Sequence, residues 1–452
     1  MGQGFYCFGS RKGVFTMAMT KNATLLFQLS AGREALPVPG AGVTLTSRET
    51  GRRVSFVTDL SGRTPPIPVC APPRWESLDP NFEGVPYSLY DARVEAEGYI
   101  PVTVRGIQVF PGEGSVVPLS LDPQPMGRDR SEEEVFDIPE NGLLTTPQRQ
   151  PEGPDPQDDI PQGRVLTNVY IPRYITVHLG APSNASAQNV TVDFAYYIKN
   201  VASSEIYPTW PENAIRANIY AQISFALNRI FTEWYPSRGY SFNITNHTGY
   251  DQYYVPGRNI FTNIGRIVDE IFTTYIRRPG ALNPLFAEYC NGTTVSCDGL
   301  SQWGTVSLAQ QGYTPLSILR RFYGSVELVQ ASQVRNIESS YPGSSLSLGS
   351  RGAAVQTIQR QLSRIRRNYP AIPALDIDGI FGSGTRAAVM AFQRIFNLTQ
   401  DGIVGRGTWN RISNIYVAVT RLAELDGENE PLPDVRPSNL LRQGDRGETV
   451  RL

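Results

Sequence analysis

Through the first 121 positions, apolar residues alternate with polar ones in short runs. Thr24–Leu29, Gly42–Ser47, Val54–Thr58, Ala92–Ala96, Val102–Val104 and Ser115–Leu121 each read as a strand. Turn residues such as Asp59-Leu60-Ser61-Gly62 and Glu97-Gly98 stand between them. Strands at this spacing predict a small β-sandwich over residues 20–121.

Beyond residue 164 the apolar period lengthens. A strand at Tyr174–Leu179 gives way to a helical face carrying Phe194, Tyr197, Ile198 and Val201. Pro211 suits the first position of a second helix, whose stripe runs through Ile215, Ile219, Ile223, Leu227, Ile230 and Trp234. A third stripe carries Ile260, Ile264, Ile267, Val268, Ile271 and Tyr275. Two more helices, Gln302–Gln311 and Pro315–Tyr323, are separated by the stop signal Gly312. These elements predict an α+β domain over 164–332. The intervening stretch, 122–163, holds eight prolines and eleven acidic residues against three arginines. It reads as a disordered linker, because it buries too little apolar surface to offset the cost of ordering it. It is a plain spacer or a site where a protease separates the first domain.

A third domain, 344–416, contains an internal repeat. Asp378-Gly379-Ile380-Phe381-Gly382-Ser383-Gly384-Thr385 is echoed by Asp401-Gly402-Ile403-Val404-Gly405-Arg406-Gly407-Thr408. Each unit reads as a glycine-rich turn whose Thr caps the next helix. Two such units behind a helix at Ala353–Arg367 predict a small helical bundle. Residues 440–452 repeat the opening of this domain and read as the start of a truncated second copy.

The whole chain has 452 residues, which implies two to four domains, and 18% charged residues with a net charge of −1. No strong field draws it to nucleic acid or to an anionic membrane. No apolar run reaches the length of a transmembrane helix, and none near the N-terminus reads as a signal peptide. Met17 and Met19 are alternative starts. Four cysteines are too few for a disulfide scaffold. Cys290 and Cys297 with His178 and His247 contain the donors of a zinc site, but neither His has ligand spacing. A loop disulfide or two buried thiols together outweigh zinc, so no metal and no cofactor are expected. His178 reads as a strand residue with a satisfied side chain.

The third domain resembles the peptidoglycan-binding domain type 1 family. The resemblance rests on Leu346-x-x-Gly349-x-Arg351-Gly352-x-x-Val355, Asp378-Gly379-x-Phe381-Gly382, Thr385…Val389…Phe392-Gln393 and Asp401-Gly402-x-x-Gly405-x-x-Thr408-Trp409. It implies a module that holds cell-wall glycopeptide, with Asp378, Gly379, Phe381, Asp401 and Trp409 as the marked positions. By chemistry alone, most of these residues shape turns and core rather than touch ligand. The second domain resembles the SpoIID/LytB family through Tyr197-Ile198-Lys199-Asn200-Val201-Ala202-Ser203-Ser204-Glu205, Trp210-Pro211 and Gly299-Leu300-Ser301-Gln302-Trp303-Gly304. The sandwich is similar to the carboxypeptidase-regulatory, transthyretin-like fold through Gly42–Leu45, Thr58-Asp59…Gly62 and Glu97-Gly98-Tyr99. In domain order the chain resembles SleC-like spore cortex-lytic enzymes. That resemblance implies a lytic transglycosylase of spore cortex or cell wall, acting on peptidoglycan glycan strands and made as a zymogen activated by a protease. The chain departs from many SpoIID/LytB members at Ile223, Ser224 and Ser296, where an Arg-Thr pair and a His are common. That departure also suits a non-catalytic wall-binding protein or amidase modifier.

A lytic transglycosylase needs one carboxyl group, because the nucleophile is the sugar's own C6 hydroxyl. A glycoside hydrolase ordinarily flanks the bond with two. The resemblance makes Glu205 that group. It falls on the stripe of Ile198 and Val201, where burial disfavours the charged form, and a helix end there adds to the effect. From spacing alone a local cap or ion pair is the commoner fate of such a Glu, and a salt bridge to Arg216 or Arg229 would mark it. Asp298 is a candidate for positioning substrate; Ser301 and Gln302 either hold sugar hydroxyl or acetamido groups or serve as a helix cap and a first-turn residue. Trp210 and Trp303 are candidates for stacking on sugar faces, although buried packing is the commoner fate of such residues.

Overall fold

The computed structural model describes residues 20–124, 133–145, 169–331, 334 and 341–420. In the first part, β1 (Thr20–Ala31), β2 (Leu36–Pro37), β3 (Gly42–Ser47), β4 (Arg53–Val57), β5 (Ile67–Ala71), β6 (Ser88–Glu95), β7 (Val102–Val109) and β8 (Gly114–Ser120) form two facing sheets. One has the antiparallel order β4-β3-β6-β7. In the other, β1 lies parallel to β8 and antiparallel to β2 and β5. Val43, Leu45, Val94 and Val104 from one sheet meet Leu25, Phe27 and Leu29 from the other in a dry core. The mixed β-sandwich is therefore as expected in layers. β5 escaped the sequence reading because Pro65, Pro66 and Pro68 crowd it. It is an edge strand paired only with β1, where proline is tolerated. Tyr90 ties it across to the other sheet, accepting from the Cys70 amide at 2.9 Å and donating to its carbonyl.

β7 runs five residues past Val104, through a bulge at Gly106 (φ +79°) opposite the register shift between Tyr90 and Ala92. There the chain receives β9 (Glu134–Asp137), which pairs parallel to β7. This corrects the expectation of a linker throughout 122–163. Residues 133–145 form a strand and the turn Gly142–Leu144, because backbone bonds such as Ile138 N–H to the Arg105 carbonyl join the burial of Ile138 and Leu143 in the two cores. The remaining linker residues, the alternative starts and the truncated repeat lie outside the described residues.

The second part contains β10 (Tyr174–His178), β11 (Asn189–Asp193), α1 (Phe194–Glu205), α2 (Glu212–Phe231), β12 (Ile244–Thr245), β13 (Ile260–Phe261), α3 (Thr262–Ile271) and β14 (Thr274–Arg277). It continues with β15 (Tyr289–Cys290), β16 (Leu300–Ser301), α4 (Gln302–Gln310), α5 (Pro315–Tyr323) and β17 (Glu327–Gln330). α1 starts where Asp193 accepts the Tyr196 amide. Pro211 stands one position earlier than expected, as the residue before α2. Trp234 falls past the end of α2, and Tyr275 lies in β14 rather than α3. His178 stacks on Phe242 and bonds Asn189, a satisfied strand residue.

The first two parts share structure. β13 pairs antiparallel with β8, so the second part contributes a strand to the sandwich. Phe110 of the sandwich packs against Tyr207 and Phe261 in the second core. Trp210 donates its indole N–H to the Ser77 carbonyl.

The third part is a bundle of α6 (Ala353–Ile365), α7 (Ser383–Ile395) and α8 (Arg406–Thr420). Its repeat is visible as repeated hydrogen bonding. Gln359 on α6 donates to Asp378, Thr385 and the Ile380 carbonyl, and accepts from the Gly379 amide. Gln393 on α7 makes the same four bonds to Asp401, Thr408, Ile403 and Gly402. Thr385 and Thr408 thus serve as acceptors inside the helices and do not cap them. The residue preceding α7 is Gly382, with no side-chain cap. The bundle rests on the rest of the chain through Tyr369, which donates to the Glu34 carbonyl, and an Arg411–Glu34 ion pair at 2.5 Å.

Gly106 is the position on which the β7–β9 contact depends. A Cβ there would stand 2.4 Å from the Ile138 carbonyl oxygen, on a backbone that disfavours any side chain. Gly106→Ala is expected to destabilise by about 1–3 kcal/mol. Thermal unfolding should show a lower Tm, and amide exchange should quicken across 133–145.

Candidate active site

An open cleft of about 350 Å³ lies where α1 ends. Its walls come from five stretches of chain: the Gly142–Thr145 turn, the end of α1, Phe225 of α2, the 248–253 loop and the 288–302 segment. Glu205, the last residue of α1, contributes its carboxyl and is 7% exposed. Three donors reach that carboxyl. The Tyr253 amide bonds Oε1 at 2.8 Å, while Gln222 Nε2 and the Tyr289 hydroxyl bond Oε2 at 2.8 and 2.7 Å. Burial pushes the Glu205 pKa up to about 7. The bonds from Tyr289, Tyr253 and Gln222 hold it from rising further. The carboxyl therefore carries a proton through a substantial fraction of its time at neutral pH.

Each donor is placed by local structure. Asn200, one turn before the end of α1, accepts from the Val255 amide and donates to its carbonyl, both at 2.8 Å. This clamps the 250–255 loop to the helix and aims the Tyr253 amide at Glu205. Gln222 and Asn218 are polar interruptions in the buried stripe of α2. Asn218 bonds Thr305, and Gln222 faces Glu205. Tyr289 sits in β15, which pairs parallel to β16. That pairing needs Gly299, where a Cβ would stand 2.0 Å from the Glu288 carbonyl oxygen. The pairing also delivers Gln302, whose amide lies 3.5 Å from the Glu205 carbonyl. A disulfide joins Cys290 to Cys297 and closes the loop that forms the outer wall. The open question between disulfide and thiols is thereby answered. Among the described residues no cluster of three or more His, Cys, Asp or Glu side chains is placed to hold a metal ion.

Neither ion pair that would have occupied Glu205 forms. Arg216 pairs with Glu212 and Glu270, and Arg229 pairs with Asp251 at 2.8 Å. The Arg229–Asp251 pair is fully enclosed. Asp251 also accepts from Tyr235 and from the amide and hydroxyl of Thr245. Removing one member of such a pair costs about 3–5 kcal/mol, so its first role is to fix the wall of the cleft.

Of the expected substrate contacts, Gln302 and the exposed Asp298 line the cleft. Trp210 and Trp303 do not. They pack against each other at 4.9 Å and against Tyr207, behind the site. Ser301 caps α4 by accepting from the Gly304 amide. In the third part, Phe381 and Trp409 are buried in the core, Gly379 forms a left-handed turn, and Asp378 and Asp401 accept turn amides and glutamine side chains. These five residues hold the module's shape. Sequence reasoning missed Gln222, Tyr253 and Tyr289. Gln222 alone left a signal, as a polar residue on the buried face of α2. The two tyrosines reach Glu205 by long-range packing that no local pattern carries.

With this geometry in hand, the chain can be compared with known proteins. Residues 351–412 match the family model described as "Putative peptidoglycan binding domain". The C-terminal bundle is thus a peptidoglycan-binding domain, which supports peptidoglycan as a partner and association with the cell wall. The chain is also similar to the zinc D-Ala-D-Ala carboxypeptidase of Streptomyces albus G. They are 46% identical over 68 residues, which is 15% of this chain and 25% of that protein. The chain spans only a quarter of that relative's length. Among solved structures, a "putative carbohydrate binding protein" from Bacteroides uniformis aligns over 23% of this chain and 42% of its own. It has 15% identity and a TM-score of 0.16, too low to carry an argument. Among the described residues no helix is long and apolar enough to cross a membrane.

Tyr289→Phe removes one of three donors that favour the charged carboxylate while keeping the ring. The Glu205 pKa should move up by roughly one unit. Carbon-detected NMR of labelled glutamate carboxyls measures this, and an unmoved or lowered pKa would contradict the assigned bond.

Proposed function

We propose that this protein is a lytic transglycosylase that cuts peptidoglycan glycan strands, with Glu205 as its single acid and base. The observation that carries the reading is a buried carboxyl with its pKa pushed up to about 7, opening into a cleft. A group with that pKa gives and takes a proton with nearly equal ease at neutral pH. As acid, Glu205 protonates the glycosidic oxygen between muramic acid and glucosamine, and the bond to the muramic C1 breaks. As base, the resulting carboxylate takes the proton of the muramic C6 hydroxyl while O6 bonds to C1. The products are a free glucosamine O4 hydroxyl and a 1,6-anhydro ring, with Glu205 protonated again. No water is consumed.

The site suits both protonation states. The three donors hold the carboxylate. Gln222 Oε1 has no partner among the described residues, so half a turn of that amide presents an acceptor to the protonated acid. Among the described residues no Lys, Arg or His lines the cleft, which favours a ligand group without negative charge there. The peptidoglycan-binding domain raises the local concentration of an insoluble substrate. Spore cortex as the particular wall, and activation by a protease, rest on the domain resemblance. If a protease does cut between 146 and 168, the shared sheet and the Gly142–Thr145 wall favour a front part that stays attached. Tests therefore use the full chain.

Mass spectrometry of the products from purified peptidoglycan sacculi tests the reading. Wild type is expected to release 1,6-anhydro-muramic ends. Glu205→Gln should lower that release by roughly 10²-fold or more. The wild-type rate should fall as pH rises through about 7, because deprotonation removes the acid. Reducing muramic ends would mean hydrolysis, and full activity of the variant would remove Glu205 from the chemistry.

A further inference from the structure

The wall-binding domain meets the rest of the chain through Tyr369, Arg411 and Asn414. Its two repeat turns stay open to solvent. Ile380 is 38% and Ile403 39% exposed, at the same place in each repeat, two residues after Asp378 and Asp401. Both isoleucines are held by their backbones. Asp378 accepts the Ile380 amide at 2.8 Å, and Gln359 donates to the Ile380 carbonyl at 3.0 Å. Asp401 and Gln393 do the same for Ile403, at 2.8 and 2.9 Å. Polar bonds thus fix each turn, and the two side chains take no part in the core.

The segment 346–351 joins the two turns. Leu346 bridges to Val404 and Arg351 bridges to Ile380, both antiparallel. Midway between them, Leu348 stands on a tight turn closed by the Ser350 amide on the Ser347 carbonyl, with Gly349 left-handed at φ +92°. Leu348 is 64% exposed. A single exposed aliphatic side chain is ordinary, but three on adjoining turns mark an interaction surface. Charges of both signs stand around it, Arg351, Arg386 and Arg406 against Asp376, Asp378 and Asp401. No charge of one sign therefore selects the ligand, and aliphatic contact is left to do so. The one aromatic residue on these turns, Phe381, is fully buried. Sugar rings favour flat aromatic faces, whereas methyl groups suit branched aliphatic ones. In peptidoglycan the alanines of the stem peptides supply methyl groups along every strand.

We propose that Leu348, Ile380 and Ile403 form the face on which this domain takes the alanine-bearing stem peptides of peptidoglycan. The repeat presents the same aliphatic contact twice, which suits a polymer whose peptides recur. The inference rests on the domain's family match and not on the reaction assigned to Glu205.

Co-sedimentation with purified sacculi tests this, using the full chain with Glu205→Gln as parent so that no cutting erodes the wall. Adding Ile380→Ser and Ile403→Ser together is expected to raise the apparent Kd roughly tenfold or more. Leu348→Ser should raise it further. Leu282→Ser, at an exposed leucine outside the domain, should bind as the parent does. Sacculi stripped of stem peptides by an amidase should hold the parent at least tenfold more weakly than intact sacculi. The Ile380/Ile403 variant should keep the parent's Tm, because neither side chain packs in a core. Four results overturn the proposal. The parent stays in the supernatant, which also removes wall binding itself. The Ile380/Ile403 variant sediments as the parent does. Stripped strands bind as intact sacculi do, which gives the site to the glycan. The Ile380/Ile403 variant melts well below the parent, which makes the two side chains part of the fold.

Discussion

The burial of one carboxyl at the end of α1 is the constraint on which the rest of the structure turns. A glutamate taken out of water either finds a cation or keeps its proton. Here the nearby arginines are engaged elsewhere, Arg216 with Glu212 and Glu270, Arg229 with Asp251. Glu205 is left with three neutral donors, which moderate the effect of burial without cancelling it. The balance puts its pKa near 7, where acid and base roles are both open to one residue.

Holding that balance takes most of the chain. The Asn200–Val255 clamp fixes one donor, the β15–β16 pairing another, and the polar face of α2 the third. The sandwich takes part as well. β13 joins its sheet, and the segment after β9 forms one wall of the cleft. Arg258, fully buried, bonds Ser204 beside Glu205 and reaches the Pro139 carbonyl, joining the end of α1 to that same segment. The front part is therefore built into the candidate site.

Local pattern was enough to read the elements that bury one face. The strands of the sandwich, α1, α4 and α5 were legible because alternation or a helical stripe matches how each packs. β5 and β9 were not legible: prolines crowd β5, although its Ile67 and Val69 are buried in the sandwich core, and acidic residues mark β9, which backbone pairing with β7 makes a strand. In the cleft, Glu205 and Gln302 were legible through a motif. Tyr253 and Tyr289 were not, because their contacts with Glu205 span 48 and 84 residues of chain. Trp210 and Trp303 were legible only as two alternatives. Sequence left them between sugar stacking and buried packing, and they pack against each other and Tyr207, outside the lining of the cleft. In the wall-binding domain the repeat was plain, but its threonines and aspartates serve the two glutamines that hold each turn.

The most direct measurement is the titration of the Glu205 carboxyl in the full chain, by carbon-detected NMR with Glu205→Gln identifying the signal. The account predicts a midpoint at about 7, with the proton lost as pH rises through that value. A midpoint in the ordinary glutamate range near 4.3 would mean a solvated or paired carboxylate, and Glu205 would then lack the proton that the proposed cleavage requires.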